Sequence, residues 1–299
     1  MLYNQPYGVS DPNAAYINGN PSTGTMGSIP PAASIEFDQR EIVAVISYAN
    51  AHALTDYNGA PCAVPSNADL TQLAKAIFGI AHGGASKALT GVIMYATPGS
   101  YIYTPSVGTR AVLVEVLGAG GGGGSSQATT PTTVAIGIAG GAGAYARKWI
   151  TSGFAGVPVV VGPTGAGGTS GGAGQPGGTS SFGALISCTG GGGGVGGLQQ
   201  ATTAIGNSTT AGGGNPSGGD INVVGQCSQA SLALNGAALS GVAGSTMYGS
   251  SPIAFGVSTD GANGNGFGAG GTAAVSLASS AAHNGGRGAP GLVLIWEYA

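Results

Sequence analysis

The sequence predicts a mainly β chain. Its long glycine-rich C-terminal part should combine strands with polyglycine-type, polyproline II-like helices, and a small α-helical region should precede it. Three observations carry this expectation. Glycine fills 62 of 299 positions, about three times ordinary usage. From Val92 onward, short β-branched segments alternate with glycine tracts. Before that point, two segments place apolar residues at helical spacing.

Residues 1–33 hold Pro6, Pro12, Pro21, Pro30 and Pro31 among Gly8, Gly19, Gly24 and Gly27. No apolar period survives that spacing, so the segment reads as an extended arm that needs a partner surface to order it. Residues 34–91 read as a helical region. Asp38 and Glu41 have capping-box spacing, and Ile42, Val45, Ile46, Ala49 and Ala53 follow as one stripe. This helix should end near Leu54, before the turn signal Asp56-Tyr57-Asn58-Gly59. A second helix is expected over 67–78, led in by Pro65, Ser66 and Asn67, with Ser66 and Asp69 at capping spacing. Leu70, Leu73, Ala74 and Ile77 form its stripe, and Gly79 stands where a C-terminal glycine belongs. Helices of about 12–16 residues are marginal alone. They need each other, or copies of the chain, to bury their stripes. Ile42, Val45, Ile46, Ala49, Leu70, Leu73 and Ile77 are therefore the candidate interface residues of a symmetric oligomer.

Residues 92–299 read as strands and glycine tracts. Strands are expected over 92–96, 101–104, 110–117, 144–151, 157–161, 181–188, 220–224 and 292–298; Val112, Val114 and Val116 should share one face. The glycine tracts are 120–124, 162–178, 190–197, 212–219, 261–271 and 285–291. Glycines 162, 165, 168, 171, 174 and 177 fall on a three-residue period, as do 190, 193 and 196, and 285, 288 and 291. That period fits a left-handed extended helix without internal hydrogen bonds. Its N–H and C=O groups must then bond to neighbouring tracts, and glycine lets the backbones approach. A collagen triple helix would need more proline than Pro163 and Pro176 supply. Flexible linkers are the competing reading; the apolar segments between tracts, which could anchor them, count against it.

Composition excludes several functions. Charged residues make up 6%, with 7 Lys+Arg against 10 Asp+Glu, so the basic surface of a nucleic-acid binder is missing. No apolar run approaches the 18–20 residues of a membrane span, and residues 1–13 lack the pattern of a signal peptide. Six acids (Asp11, Glu36, Asp38, Glu41, Asp56, Asp69) and three bases (Arg40, Lys75, Lys87) up to Gly91 carry the whole net charge of −3. The remainder is neutral and has little electrostatic handle on a partner.

No catalytic, metal or cofactor motif emerges. There is no GxSxG elbow and no phosphate loop, and the GxGxxG match at Gly141 and Gly143 fails at Ala146. His52, His82 and His283 read as surface or capping residues. Cys62, Cys188 and Cys227 read as small buried thiols, with a Cys188–Cys227 bridge as the alternative. Glu115 and Glu297 lie mid-strand, as do Arg147 and Lys148, and cross-strand ion pairing accounts for them better than a hydrolytic carboxylate pair.

Several stretches together resemble a known family. The run 29–36, with Pro30-Pro31-Ala32-Ala33, followed by Gln39-Arg40-Glu41-Ile42-Val43, looks like the proximal part of tailed-bacteriophage tail fibres. Ala68-Asp69-Leu70-Thr71-Gln72-Leu73 and the residues to Ile77 resemble a helix common in those fibres. Residues 109–120, 145–150, 178–183, 218–222 and the ending Gly288-Ala289-Pro290-Gly291 through Tyr298 are similar to a glycine-rich terminal domain of phage fibres. In composition, the chain also resembles phage adhesins built on packed polyglycine helices. The resemblance implies a virion protein of the phage tail, made in the host cytoplasm. It implies a homotrimer with no enzymatic activity, whose residues 1–33 attach to a baseplate or proximal tail protein, 34–91 form a trimerisation collar, and 92–299 bind host polysaccharide or outer-membrane protein. The chain lacks a long shaft of repeats, which leaves a compact spike as open as a long fibre. The other readings are a tail-spike depolymerase and a purely structural glycine-rich protein.

Function tends to sit on loops held by a rigid scaffold. The segments 198–211, 226–258 and 272–284 interrupt the late glycine tracts and are rich in Ser, Thr, Asn and Gln. Tyr248, Phe255 and Phe267 are the nearby aromatic anchors. Tyr248 is expected to be exposed, and core filling is the competing account of Phe255 and Phe267.

Overall fold

The computed structural model describes residues 6–11, 14–15, 17–29, 32–66, 68–83, 89–203, 209–253 and 255–299. Pro12, Pro30, Pro31, Asn67, Lys87 and residues 204–208, all within segments singled out above, lie outside them. The chain divides into two units, essentially Met1–Ala88 and Leu89–Tyr298. It is mainly β, with two α-helices and no closed barrel among the described residues.

In the first unit the arm includes a short 3-10 turn, Pro21–Thr23, capped by the Asn20 side chain and closed by a bridge from Asn20 to Thr25. Helix α1 spans Ala32–Ala51, so it starts well before the expected cap, and Asp38 and Glu41 lie inside it. Two alanines favour the earlier start. Helix α2 spans Gln72–Gly83, later than expected. The Gln72 side chain accepts from the Ser66 N–H at 2.8 Å and donates to the Val64 carbonyl at 2.9 Å. Asp69, rather than Ser66, accepts from the Thr71 N–H ahead of the first turn. Gly79 therefore lies within α2 and ends nothing. A Cβ there would press on the Thr55 carbonyl and the Cys62 Sγ at 3.0 and 3.2 Å; the glycine permits close packing of helix on loop. Ile46, Ala49, Leu54, Cys62 and Ala76 form the core of this unit, with Val45, Leu73 and Ile80 packed against it.

The second unit contains two five-stranded antiparallel sheets. In spatial order, the first is Leu89–Tyr95, Leu292–Tyr298, Ala111–Leu117, Tyr145–Ile150 and Ile221–Val223. The second is Pro216–Ser217, Ile186–Cys188, Ser180–Phe182, Pro158–Val161 and Gly99–Ile102. Between them lies a core that takes Val112, Val114, Val116 and Ile295 from one sheet and Val159, Val161, Phe182 and Ile186 from the other. The period-two valines thus share the buried face, as the alternation requires. The expected strand 181–188 is instead a hairpin, turned at Gly183 with φ +54°. A smaller sheet joins Val275–Ser276, Thr133–Ile136 and Gln199–Ala201, and a hairpin pairs Leu232–Leu234 with Ala237–Leu239. These short strands carried no clear period in the sequence.

Apart from Pro216–Ser217, the glycine tracts fall outside helices and strands, yet most of their backbone groups are paired. In the tract 118–126, the N–H groups of residues 118, 121 and 124 donate to carbonyls 144, 141 and 138. Those of 119, 122 and 125 donate to 178, 175 and 172, and those of 120, 123 and 126 to 289, 286 and 283. Carbonyls 119, 122 and 125 accept from N–H groups 191, 194 and 197; carbonyls 120 and 123 from 165 and 168; carbonyls 121 and 124 from 271 and 274. Every partner series steps by three residues. Three tracts running antiparallel accept and three running parallel donate, so one tract is ringed by six. A Cβ on Gly120, Gly121, Gly122, Gly123 or Gly124 would collide with the backbone carbonyl of Ala269, Gly192, Ala166, Thr272 or Val195 respectively. Glycine is required at these positions by the close approach of backbones from all sides. Such pairing is incompatible with flexible linkers, since it leaves no free backbone to move.

Candidate functional site

Parts of the three polar segments converge. The tract 118–126 runs into residues 127–132, on which residues of the first and last segments are bonded directly and the hairpin of the middle segment through Thr202. Gln199 Nε2 donates to the Ala128 carbonyl at 2.7 Å, and the Thr202 N–H to the Thr132 carbonyl at 3.0 Å. The Gly236 N–H at the hairpin tip donates to the Thr202 carbonyl at 2.8 Å. From the last segment, the Ser279 N–H donates to the Thr130 carbonyl and the Ser280 N–H to Thr129 Oγ1. The cluster has its own core of Val134, Ile136, Ala233, Ala238 and Val275, against which Phe255 and Leu277 pack. Ala233 and Ala238 turn inward while Leu232, Leu234 and Leu239 stay exposed, so the hairpin offers an apolar outer face beside the hydroxyl-rich turn.

The aromatic candidates are not brought together. Phe255 fills the loop-cluster core. Tyr248 and Phe267 pack elsewhere, on Leu117, Tyr145 and Leu292 at the ends of the three inner strands of the first sheet. Tyr248 is half-buried rather than exposed, and its hydroxyl donates to Glu115 Oε2. Burial, and then the hydrogen bond to Glu115, push its phenol above the ordinary tyrosine value. Next to it, an open groove of about 220 Å³ is lined by Tyr145, Val223, Val224, Thr246 and Met247.

The expected cross-strand ion pairs do not form. Arg147 stands opposite Glu115 in register, but no ion pair joins them, whereas Arg40 pairs with Glu36 and Lys75 with Asp69. Lys148 Nζ instead donates to the Gly218 carbonyl at 2.6 Å. Glu297, fully buried, accepts from the Tyr103 hydroxyl at 2.6 Å and the Ser106 N–H at 3.0 Å. Both carboxylates satisfy neutral donors reaching in from loops and neighbouring strands, a demand that strand register does not reveal.

In the helical unit, Ile46 and Ala49 are buried within the single chain. Ile42, Leu70 and Ile77 are exposed, Leu70 at 95%. An open groove of about 410 Å³ is lined by Ile42, Ile46, Asp69, Leu70 and Leu73 among others. The cysteines are free; Cys62 and Cys188 are buried as expected, whereas Cys227 is exposed, and no Cys188–Cys227 bridge forms. Burial pushes the Cys188 thiol up to about 12, which makes it inert.

Sequence reasoning missed one constellation. His283 was read as a surface or capping residue, but its Nδ1 lies 3.0 Å from Asp260 Oδ1 and its Nε2 lies 3.3 Å from Ser280 Oγ. The partners stand 23 and 3 residues away in loops without periodicity, so spacing carries no signal for them.

A family model described as a glycine-rich domain matches residues 96–296. No curated protein matches the chain.

Proposed function

The chain belongs to the glycine-rich domain family, whose match covers residues 96–296, and from that premise we propose that it is a phage tail-fibre adhesin that attaches the virion to the bacterial surface. The observation that carries the reading is the clustering of residues 199–202, the hairpin 232–239 and residues 275–280 around the turn 127–132 at the end of a hydrogen-bonded, nearly uncharged scaffold. Such a scaffold fixes loops whose sequence is free to vary, which is what recognition of differing surfaces requires. The hydroxyl and amide side chains of these loops suit sugars or the loops of outer-membrane proteins. The flanking apolar hairpin face adds contact area. Binding therefore depends on shape and hydrogen bonds and little on salt, and it leaves the sugar backbone of the receptor uncut.

In this reading the tracts are polyglycine-type helices, a proposal supported by hydrogen-bond partners that step by three residues. The helical unit is a trimerisation collar, supported by the exposed apolar residues Ile42, Leu70 and Ile77. Residues 1–33 attach to the baseplate or a proximal tail protein. The test is binding of fluorescently labelled full-length protein to a panel of bacteria and to mutants lacking surface polysaccharide or single outer-membrane proteins. Saturable binding lost in one mutant class supports the adhesin. Uniform absence of binding, or shortening of the polysaccharide on incubation, would overturn it.

A further inference from the structure

We propose that Ser280, His283 and Asp260 form a nucleophile, base and orienting carboxylate that hydrolyse acyl esters, an activity separate from receptor binding. Asp260 Oδ1 stands 3.0 Å from His283 Nδ1 and also accepts the Asn284 N–H at 2.9 Å. The carboxylate is thereby fixed where it holds the Nδ1 proton and leaves the Nε2 lone pair toward Ser280, the tautomer that a general base requires. Ser280 Oγ lies 3.3 Å from that Nε2, within the looser distances of uncomplexed sites, which tighten with substrate. The single hydroxyl proton has a second acceptor in the Ala281 carbonyl, to which Ser280 Oγ donates at 3.2 Å. That carbonyl already accepts from Ser276 Oγ at 2.9 Å.

The main chains of His283 and Ser280 are held by hydrogen bonds. His283 exchanges both main-chain hydrogen bonds with Ser126, at the end of the ringed glycine tract. The Ser280 N–H is anchored on Thr129 Oγ1 at 2.9 Å. Ser279, just before the nucleophile, has φ +58°, a left-handed conformation that is costly for serine and collects at functional turns. The next residues, Ala281 and Ala282, are exposed. Their N–H groups donate to no acceptor among the described residues, which leaves them as donors for a developing oxyanion. The Asp260 side chain is 63% exposed. An open site of this kind suits a small acyl group carried on a large molecule.

In the first step, Ser280 Oγ bonds to the acyl carbon as its proton passes to His283 Nε2. The ester C–O bond breaks, and the leaving alcohol takes that proton. Water then gives a proton to His283 and adds to the acyl carbon. The Oγ–C bond breaks, Ser280 recovers its proton and the carboxylic acid departs.

Full-length protein is tested with p-nitrophenyl acetate and, separately, with a fluorophosphonate that modifies activated serines. The expected result is turnover that falls at least about 100-fold in Ser280→Ala and at least about tenfold in Asp260→Asn, with both variants keeping the wild-type circular dichroism. Peptide mapping of the wild type, which does not depend on any variant folding, should place one phosphonyl adduct on Ser280. Equal rates for wild type and Ser280→Ala would assign the hydrolysis to an ordinary exposed histidine and overturn the proposal. No adduct, or an adduct on another serine, would overturn it as well. Neither failure bears on receptor binding, which is measured with whole cells.

Discussion

The Tyr248 hydroxyl donates to the Glu115 carboxylate, which ties a late loop to the middle of a strand 133 residues earlier. Glu115 is almost fully buried, and Tyr145 stands beside the same carboxylate with its phenol raised to about 12, first by burial and then by the Glu115 charge. Tyr248 is therefore part of the structure of the first sheet. Tyr248→Phe should lower stability by about 1–3 kcal/mol, because it removes a donor from a buried charged acceptor. Tyr248→Ala should cost more, through the lost packing on Leu117 and Leu292. Thermal melts of the two variants check this, and wild-type melting temperatures would refute it.

The same phenols should appear in a spectroscopic titration. Burial, first among the causes, raises Tyr103, Tyr145 and Tyr248. An acid whose folded value is raised adds stability below its unfolded value near 10 and loses it as pH climbs through the folded value. Of the 11 tyrosines, at least three should stay protonated at pH 11 in the folded protein and ionise at once on unfolding. Absorbance near 295 nm, with and without guanidinium, counts them. Full ionisation at pH 11 before unfolding would contradict the burial of these rings.

Glu297 governs the acid side. Burial pushes its carboxyl up, but hydrogen bonds from Ser106 and Tyr103 together outweigh that and hold it below the ordinary value. A depressed carboxyl contributes stability that is present above its unfolded value near 4.3 and lost as pH falls through the lower folded value. Glu297→Gln should flatten the fall of melting temperature between pH 5 and 3. Glu297→Ala should cost about 1–3 kcal/mol for each donor left unpaired, at neutral pH as well. Identical pH profiles for wild type and Glu297→Gln would show that the hydrogen bonds do not favour the ionised form.

The legible part of this molecule was local. Alternation placed Val112, Val114 and Val116 on a buried face, and the glycine period announced backbones in close contact. What stayed hidden was pairing over distance. Nothing in residues 138–144 says that their carbonyls at 138, 141 and 144 receive the tract 118–126, since the choice among equivalent glycine tracts is made by the whole assembly. Residues with two possible employments were misread for the same reason. Tyr248 in a polar loop looks solvent-facing until Glu115 is known to lie beneath it, and Asp260 is an ordinary loop acid until it meets His283. Gly79 mimics a helix terminus and instead admits a loop against the helix.

The ringed tract makes a position-specific prediction. Gly122→Ala places a methyl group against the Ala166 backbone, which other tracts hold in place. Overpacking typically costs about 1–3 kcal/mol and more where neither side can yield, so this variant should fold poorly or not at all. Gly168→Val should fail likewise, because its Cβ meets the Gly172 carbonyl. Gly212→Ala meets nothing within 4 Å and should melt like wild type or slightly above, because alanine restricts the unfolded chain. Equal melting temperatures for Gly122→Ala and Gly212→Ala would rule out the close-packed tract.

The oligomer prediction turns on which stripe residues are already used. Ile46 is buried inside the single chain against Ala49, Leu54 and Ala76. An aspartate there would place an unpaired charge in the helical pair itself, so Ile46→Asp should unfold this unit whatever the number of chains. Ile42, Leu70 and Ile77 are the exposed residues of the two stripes, and they report on assembly. Leu70 offers the cleanest test, since it lies at 95% exposure before the first turn of α2 and takes no part in the unit's core. If three chains meet on this face, Leu70→Glu brings three like charges to one apolar contact. The trimer mass in light scattering at micromolar concentration should then fall to that of single chains, with helix content unchanged. Ile42→Glu, on the other helix lining the same groove, should act in the same direction. A single-chain mass for the wild type at that concentration, or a trimer indifferent to both substitutions, would place the collar contacts elsewhere.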